Sequence, residues 1–515
     1  MSTDVTETEP PRRSWVTGKR LIGIAITVLV VLRIGVDLMP IRVQIGPETS
    51  YIDGPLRRDG TPDYAAYLNE QWSKGVAPDQ NAAVDLIHAF GPGIINEDIR
   101  EDYFQQLGIE MPPLEGDYYV DFYEFMEQDG SDWCTNPKMS ERINVAMEVH
   151  THPWSPNEHP DVAQWLDANR KPLATMLTAS SKSHFFSPMI PPDGKCLLDS
   201  LLDITDKSRT AARLIMANAM RELEQGNIDI ALDHTLDCHR LSRLVSRHQA
   251  LIGSITAHNN SKHAIGGDEQ IILSGRLTTL QADNHRQRLS LLPAFHPISD
   301  IIDKGERFNS LDLVAGMHDG RFQFDDENSG LAMRWGLDPN EAMRQFNEHY
   351  DEIHIAMQEP DLSTRLRDLN AIWERRETKM LTDEIDKAHA LLFGLRSALK
   401  ESAANIVVLF TAPAVDRVVI AEEESKLRMQ LVDTGYALAE YRAETGSFPD
   451  SLESLVPEQL DELPIDPYSD ELYRYKRTDG GFLLWSVGPD GFDDGGRNHS
   501  GSDDIAFGDR PREEE

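Results

Sequence analysis

The stretch LPIDPYSDELYRY, residues 463–475, decides how the last fifth of the chain folds. Asp466-Pro467 initiates a turn, because proline presets φ and aspartate bonds its own backbone. Leu472-Tyr473-Arg474-Tyr475 then alternates as a strand. Just upstream, YRAETGSFPDSLESL (441–455) is a helix end followed by a short amphipathic turn at Leu452, Leu455 and Val456. Gly446 stops the helix and Phe448-Pro449 keeps it from resuming. That helix is predicted from about Ala414 to Thr445. Leu427, Leu431, Leu438 and Tyr441 form its apolar stripe, and Glu422, Glu423, Glu424 and Lys426 are its solvated face. Downstream, Asp479-Gly480-Gly481 is a hairpin turn and Phe482 to Val487 the return strand. The expectation is a helix packed on a small antiparallel sheet.

The order of these pieces, closed by WSVGPDGFDDGG (485–496) and DDI (503–505), resembles the globular part of the major pseudopilin of type II secretion systems. The resemblance covers about residues 414–506. It implies calcium in the last loop, with Asp490 in the GPDG turn and Asp504 before Ile505 as ligands and Asp503 as a third. The residues support this independently. Asp490, Asp493, Asp494, Asp503 and Asp504 crowd one short loop whose glycines allow tight wrapping, and calcium takes six to eight oxygens. A flexible acidic tail is the alternative. The chain departs from the family upstream. No pseudopilin leader precedes the C-terminal helix, and Asn405 to Phe410 is apolar but too short to span a bilayer.

Working toward the N-terminus, the apolar run Leu21 to Leu32 continues to Met39-Pro40. Its nineteen residues span roughly 28 Å as a helix. Arg33 and Asp37 share a helix face near its exit. Arg12, Arg13, Lys19 and Arg20 precede the run and acidic sequence follows, so the N-terminus is expected in the cytoplasm and the body outside. A cleaved signal peptide is the competing reading, although no A-x-A site follows. The expected plan is a tail over 1–20, an anchor over 21–40, a linker over 41–63, a helical body over 64–410 and a pseudopilin-like module over 411–510.

At 515 residues the chain exceeds one core, and its 40% hydrophobic content is enough for packed domains. A formal charge of −37 argues against nucleic-acid binding. Cys134, Cys196 and Cys238 are far apart and include no CxxC, which excludes a disulfide framework and a thiolate zinc site. One bridge or three buried thiols remain open.

The body reads as mainly α, broken by proline-rich loops at Pro112-Pro113, Pro153 to Pro160 and Pro188 to Pro192. Its best-defined part is a tetratricopeptide-like hairpin, with helices over about Ser208–Glu224 and Ile228–His248 and a turn at Gln225-Gly226-Asn227. Further helices are expected at about 275–290, 297–317, 363–380 and 382–409. His234 and Cys238 share a helix face beside His239, as zinc ligands can, but no HExxH accompanies them. His349 and His354 are five apart and face different ways. The cluster His150, His152, Trp154, Glu158, His159 and Asp161 is the place to look for a hydrolase site; helix capping and pinning is the plainer reading. No G-x-S-x-G, P-loop or G-x-G-x-x-G motif occurs. Three functions follow: an interaction or scaffold protein with protein partners and a calcium-stiffened module, an exported hydrolase, or a structural envelope spacer.

Overall fold

In the computed structural model of the chain, the described residues are 27–28, 41–128, 138–200, 203–322, 337–382, 404–405, 407–408, 415–497 and 503–509. The fold is mainly helical, with one small antiparallel sheet near the C-terminus. Nearly all of the expected anchor, Cys134 and most of the helix expected at 382–409 lie outside the described residues. Among the described residues, no helix is long and apolar enough to cross a membrane.

The chain packs as two compact units, each built from two stretches. One comprises 64–306 with 413–515, the other 1–63 with 307–412. The C-terminal module therefore shares a unit with most of the helical body.

In the first unit, α1 (Asp203–Gln225) and α2 (Ile228–Val245) form the hairpin expected from sequence. Ala212, Ile215, Met216, Ala219 and Leu223 of α1 are buried, as are Ala231, Leu232, Leu236 and Leu241 of α2. A third long helix, α3 (Leu251–Leu273), packs on both. It is followed by α4 (Thr279–Ser290), capped by Thr278, whose side chain accepts from the Gln281 N–H in a capping box. The long helix α5 (Val415–Thr445) lies against α3, α4 and the sheet. It buries more than the predicted stripe: Val432, Tyr436, Ala437 and Ala439 are inside as well. Glu422, Glu423 and Glu424, expected in open solvent, retain only 12%, 20% and 25% side-chain exposure.

The sheet has the order β1 (Arg474–Arg477), β2 (Phe482–Ser486), β3 (Ile505–Gly508), antiparallel throughout. Tyr475 pairs with Leu484, and Leu484 with Phe507. Every residue of β2 is buried. Phe482 and Leu484 join the main core with Leu431 and Leu438, while Leu483 and Trp485 form a second small core with Ala506. Strand side chains alternate between faces, so both faces of this sheet are covered.

Gly435 lets α5 come close to its neighbours. A Cβ there would stand 2.6 Å from Phe507 Cε1 and 3.1 Å from Ile272 Cδ1, both on buried side chains. Gly435→Val is expected to destabilise this unit by about 2–3 kcal/mol through overpacking. Urea unfolding measures it, and an unchanged midpoint refutes the close-approach argument.

In the second unit, residues 41–63 form no helix or strand, yet they are ordered by specific bonds. Asn340 Nδ2 donates to the Arg42 carbonyl (3.0 Å), and its Oδ1 accepts from the Gln44 N–H (2.7 Å). Asn347 Nδ2 donates to the carbonyls of Glu48 (3.1 Å) and Thr49 (2.9 Å). The stretch expected to be a linker is thus docked on the helix Pro339–Met357. Arg307 is fully buried there, its guanidinium 4.4 Å from the Tyr51 ring centroid and 2.8 Å from Asp351 Oδ1.

Candidate cation site in the C-terminal loop

The loop between β2 and β3 carries all five aspartates singled out in the sequence, and the fold separates their roles. Its start is fixed by Asp466, which is fully buried. That carboxylate accepts from Ser486 Oγ (2.7 Å), the Val487 N–H (3.0 Å) and the Tyr468 N–H (3.1 Å). The Asp-Pro turn seen in the sequence is therefore also the pin holding the end of β2, a role that turn propensity does not reveal. Gly488 follows with φ +71°, and a Cβ on it would overlap the backbone carbonyl of Asp503. Only glycine takes both constraints without strain, and there the two ends of the loop touch.

Asp494, Asp503 and Asp504 converge, each offering a carboxylate oxygen within 4.8 Å of the others. Among the described residues this is the one such group of three or more potential ligands. Asp490 instead braces the loop: its N–H donates to Asp503 Oδ2 (2.8 Å) and its Oδ1 accepts from the Phe492 N–H (2.8 Å). Asp493 is engaged elsewhere. It accepts from Trp485 Nε1 (2.9 Å) and the Gly495 N–H (2.9 Å), and Arg474 Nε stands 3.4 Å away. Gly496 of the loop lies against Leu483 and Trp485 of the second small core, and its N–H donates to Asp504 Oδ2 (2.7 Å).

Electrostatics follow this division. Burial raises the Asp503 carboxyl; the neighbouring Asp490 carboxylate adds to the rise and the Asp490 N–H opposes it. Burial also raises Asp504, reinforced by the charges of Asp493 and Asp494 against the N–H groups of Gly496 and Asp494. For Asp493, burial pushes upward but the bonds from Trp485 and Gly495 and the nearby Arg474 outweigh it, and the net shift is down. Asp503 Oδ1 is buried with no hydrogen-bond partner among the described residues. Three close carboxylates can supply part of a calcium shell, with carbonyls and water completing it.

The other sequence candidates take separate partners, apart from Trp154 and His159, whose ring centroids stand 6.4 Å apart. His150 packs edge-on against His263 (4.6 Å between centroids), and Trp154 is buried with Nε1 donating to the Ala217 carbonyl (2.9 Å). Glu158 is exposed and accepts from the Ser155 N–H (3.3 Å), His152 is exposed, and Asp161 pairs with Arg142. His159 caps the helix Pro160–Ala168 without a side-chain bond. These are capping and pinning roles. His234 bonds Asn218 (2.7 Å), and Cys238 faces the Asn260 carbonyl (3.6 Å). Cys196 and Cys238 are both buried. His349 Nδ1 accepts from Arg376 Nε (3.1 Å), whereas His354 bonds Gln358 (3.0 Å).

Sequence reasoning missed a buried polar network where α5 meets the body. Asp268 of α3 is fully buried. It accepts from His239 Nε2 (2.8 Å) and from Tyr436 Oη (2.8 Å), and His285 Nε2 stands 3.4 Å away. Burial alone would raise the Asp268 carboxyl; the hydrogen bond from His239 and the approach of His285 outweigh it, so it stays ionised below the usual range. Burial pushes His239 down, holding it neutral with Nε2–H as the donor. The only sequence signal was a lone acid in a polar, glycine-rich segment. No protein-family model, curated protein or solved structure matches this chain.

Proposed function

We propose that this chain is a membrane-tethered, extracytoplasmic interaction protein whose pseudopilin-like C-terminal module is stiffened by calcium. The tether rests on the apolar run Leu21 to Leu32 and the basic residues before it. The metal rests on one observation above all: Asp494, Asp503 and Asp504 converge in the loop between β2 and β3. Burial and mutual repulsion raise two of these carboxyls, and a hard divalent cation relieves both effects. The surface of the α1–α2 hairpin suits protein partners, and the resemblance of the module suggests a secretion or pilus-like machine as its setting.

Calcium is expected to stabilise the full chain by mass action, by about 2.7 kcal/mol at a hundredfold excess over the dissociation constant, and so to raise its thermal midpoint. Asp504→Asn is expected to abolish the rise. No shift at millimolar calcium removes the metal from the proposal. Detergent-extract pull-downs with and without calcium test the partner, and a solitary monomer in both counts against it. Membrane fractionation with and without residues 21–40 tests the tether.

A further inference from the structure

A cavity of about 560 Å³ opens between the end of the helix Arg170–Ser180, α2, and the end of α4. Its wall carries Lys182, Arg240, Arg243, Arg247 and Arg288, and no acidic residue. In a chain of formal charge −37 this is a local inversion of sign. Arg240 and Arg243 lie near the end of α2, and Arg247 lies in the turn that follows it.

Three of the five cations have carboxylates behind them. Lys182 pairs with Asp85 (3.3 Å), Arg240 with Asp237 (3.3 Å) and Arg288 with Asp233 (2.7 Å). Arg243 and Arg247 have carbonyls instead: Arg243 donates to His239 (3.0 Å) and Arg247 to Ser183 (2.6 Å). Arg243 is only 6% exposed, and its Nε is buried with no partner among the described residues. Burial pulls its guanidinium down to about 10, opposed by Asp268. It also borders a second cavity of about 740 Å³, whose wall carries Asp433 and Glu462 and so does not favour anions. Attraction to helix C-termini accounts for cations in the last turns of α2 and α4. It does not account for the Arg243 Nε–H, which stays without a hydrogen-bond partner among the described residues, on a guanidinium that stacks on Phe295 (4.8 Å) and lines a void of ligand size.

We propose that the 560 Å³ cavity binds a small organic phosphate, its phosphate group held by Arg243 and Arg247 and its apolar part against Leu244 and Leu292. The guanidinium fork matches phosphate oxygens in two-point bonds, and leucine beside it rewards a hydrocarbon substituent. A soluble phosphate ester and the headgroup of a phosphomonoester lipid share this chemistry.

The test is calorimetry of the full chain at low ionic strength with n-hexyl phosphate and with inorganic phosphate. Saturable one-site binding is expected, tighter for n-hexyl phosphate and weakened roughly tenfold or more by Arg247→Gln. Arg247 is only partly buried, so that variant keeps the fold; Arg243→Lys, which retains the charge but not the fork, is the second arm. Vesicles with and without phosphatidic acid separate the sources. Retention by phosphatidic acid that n-hexyl phosphate competes away assigns a lipid headgroup, and binding of n-hexyl phosphate without vesicle retention assigns a soluble ester. Either upholds the site. Absence of saturable binding in every arm, or equal affinity in both arginine variants and the parent, overturns it and leaves the arginines as helix-end partners.

Discussion

Acidification from pH 7 to pH 5 is expected to unfold the unit formed by residues 64–306 and 413–515. Four of its histidines are held neutral: burial pushes His150, His248, His258 and His263 each down to about 4. In the unfolded chain they return to the ordinary value near 6.5. As the pH falls below 6.5 the unfolded state takes up protons that the folded state refuses. The stability these residues confer is therefore complete above about pH 6.5 and is lost toward pH 4. At pH 5 each histidine costs on the order of 2 kcal/mol, so the four together rival the whole stability of an ordinary domain. Thermal melts at pH 7.5, 6 and 5 read it directly, and a midpoint unchanged over that range refutes it. His258→Asn is expected to flatten the dependence, because neither ring nitrogen of His258 has a hydrogen-bond partner among the described residues.

Replacing Asp268 gives the other large effect. Asp268→Leu strands His239 and Tyr436, whose polar atoms have no route to water, and is expected to cost about 3–5 kcal/mol. Tyr436→Phe removes one donor and is expected to cost about 1 kcal/mol. Combined with Asp268→Asn it reports their coupling through a double-mutant cycle. Hydrogen exchange in α3 measures both, and loss confined to the chain ends contradicts the assignment. Asp268 has no part in the acid transition above pH 4. Its folded pKa lies below the ordinary carboxylate value, so its contribution disappears only at lower pH.

Where side chains repeat with a clear period, the sequence was legible. The hairpin α1–α2 follows from Ala212, Ile215, Met216 and Ala219, and β2 from the glycine turn before Phe482. α3 went unread, because LIGSITAHNNSKHAIGGDEQIIL mixes glycine, histidine and serine where a helix stripe should be. That helix is buried on nearly every side, and a helix surrounded by protein needs no amphipathic pattern. The same reason broadened α5 beyond its predicted stripe. Three of the five loop aspartates converge as the crowding suggested. Asp493 does not, because Arg474 and Trp485 reach it first from neighbouring strands, and such cross-strand competition leaves no mark on spacing.

The pairing of Tyr436 with Asp268 joins residues 168 positions apart. Synthesis delivers α3 long before α5, with the 307–412 stretch of the other unit made in between. Until the tail emerges, a buried carboxylate lacks its phenol and the apolar faces of α3 and α4 lie bare. The nascent chain must then keep a half-finished body from aggregating, and chains cut short before residue 413 should be recognised as unfinished by chaperones and proteases.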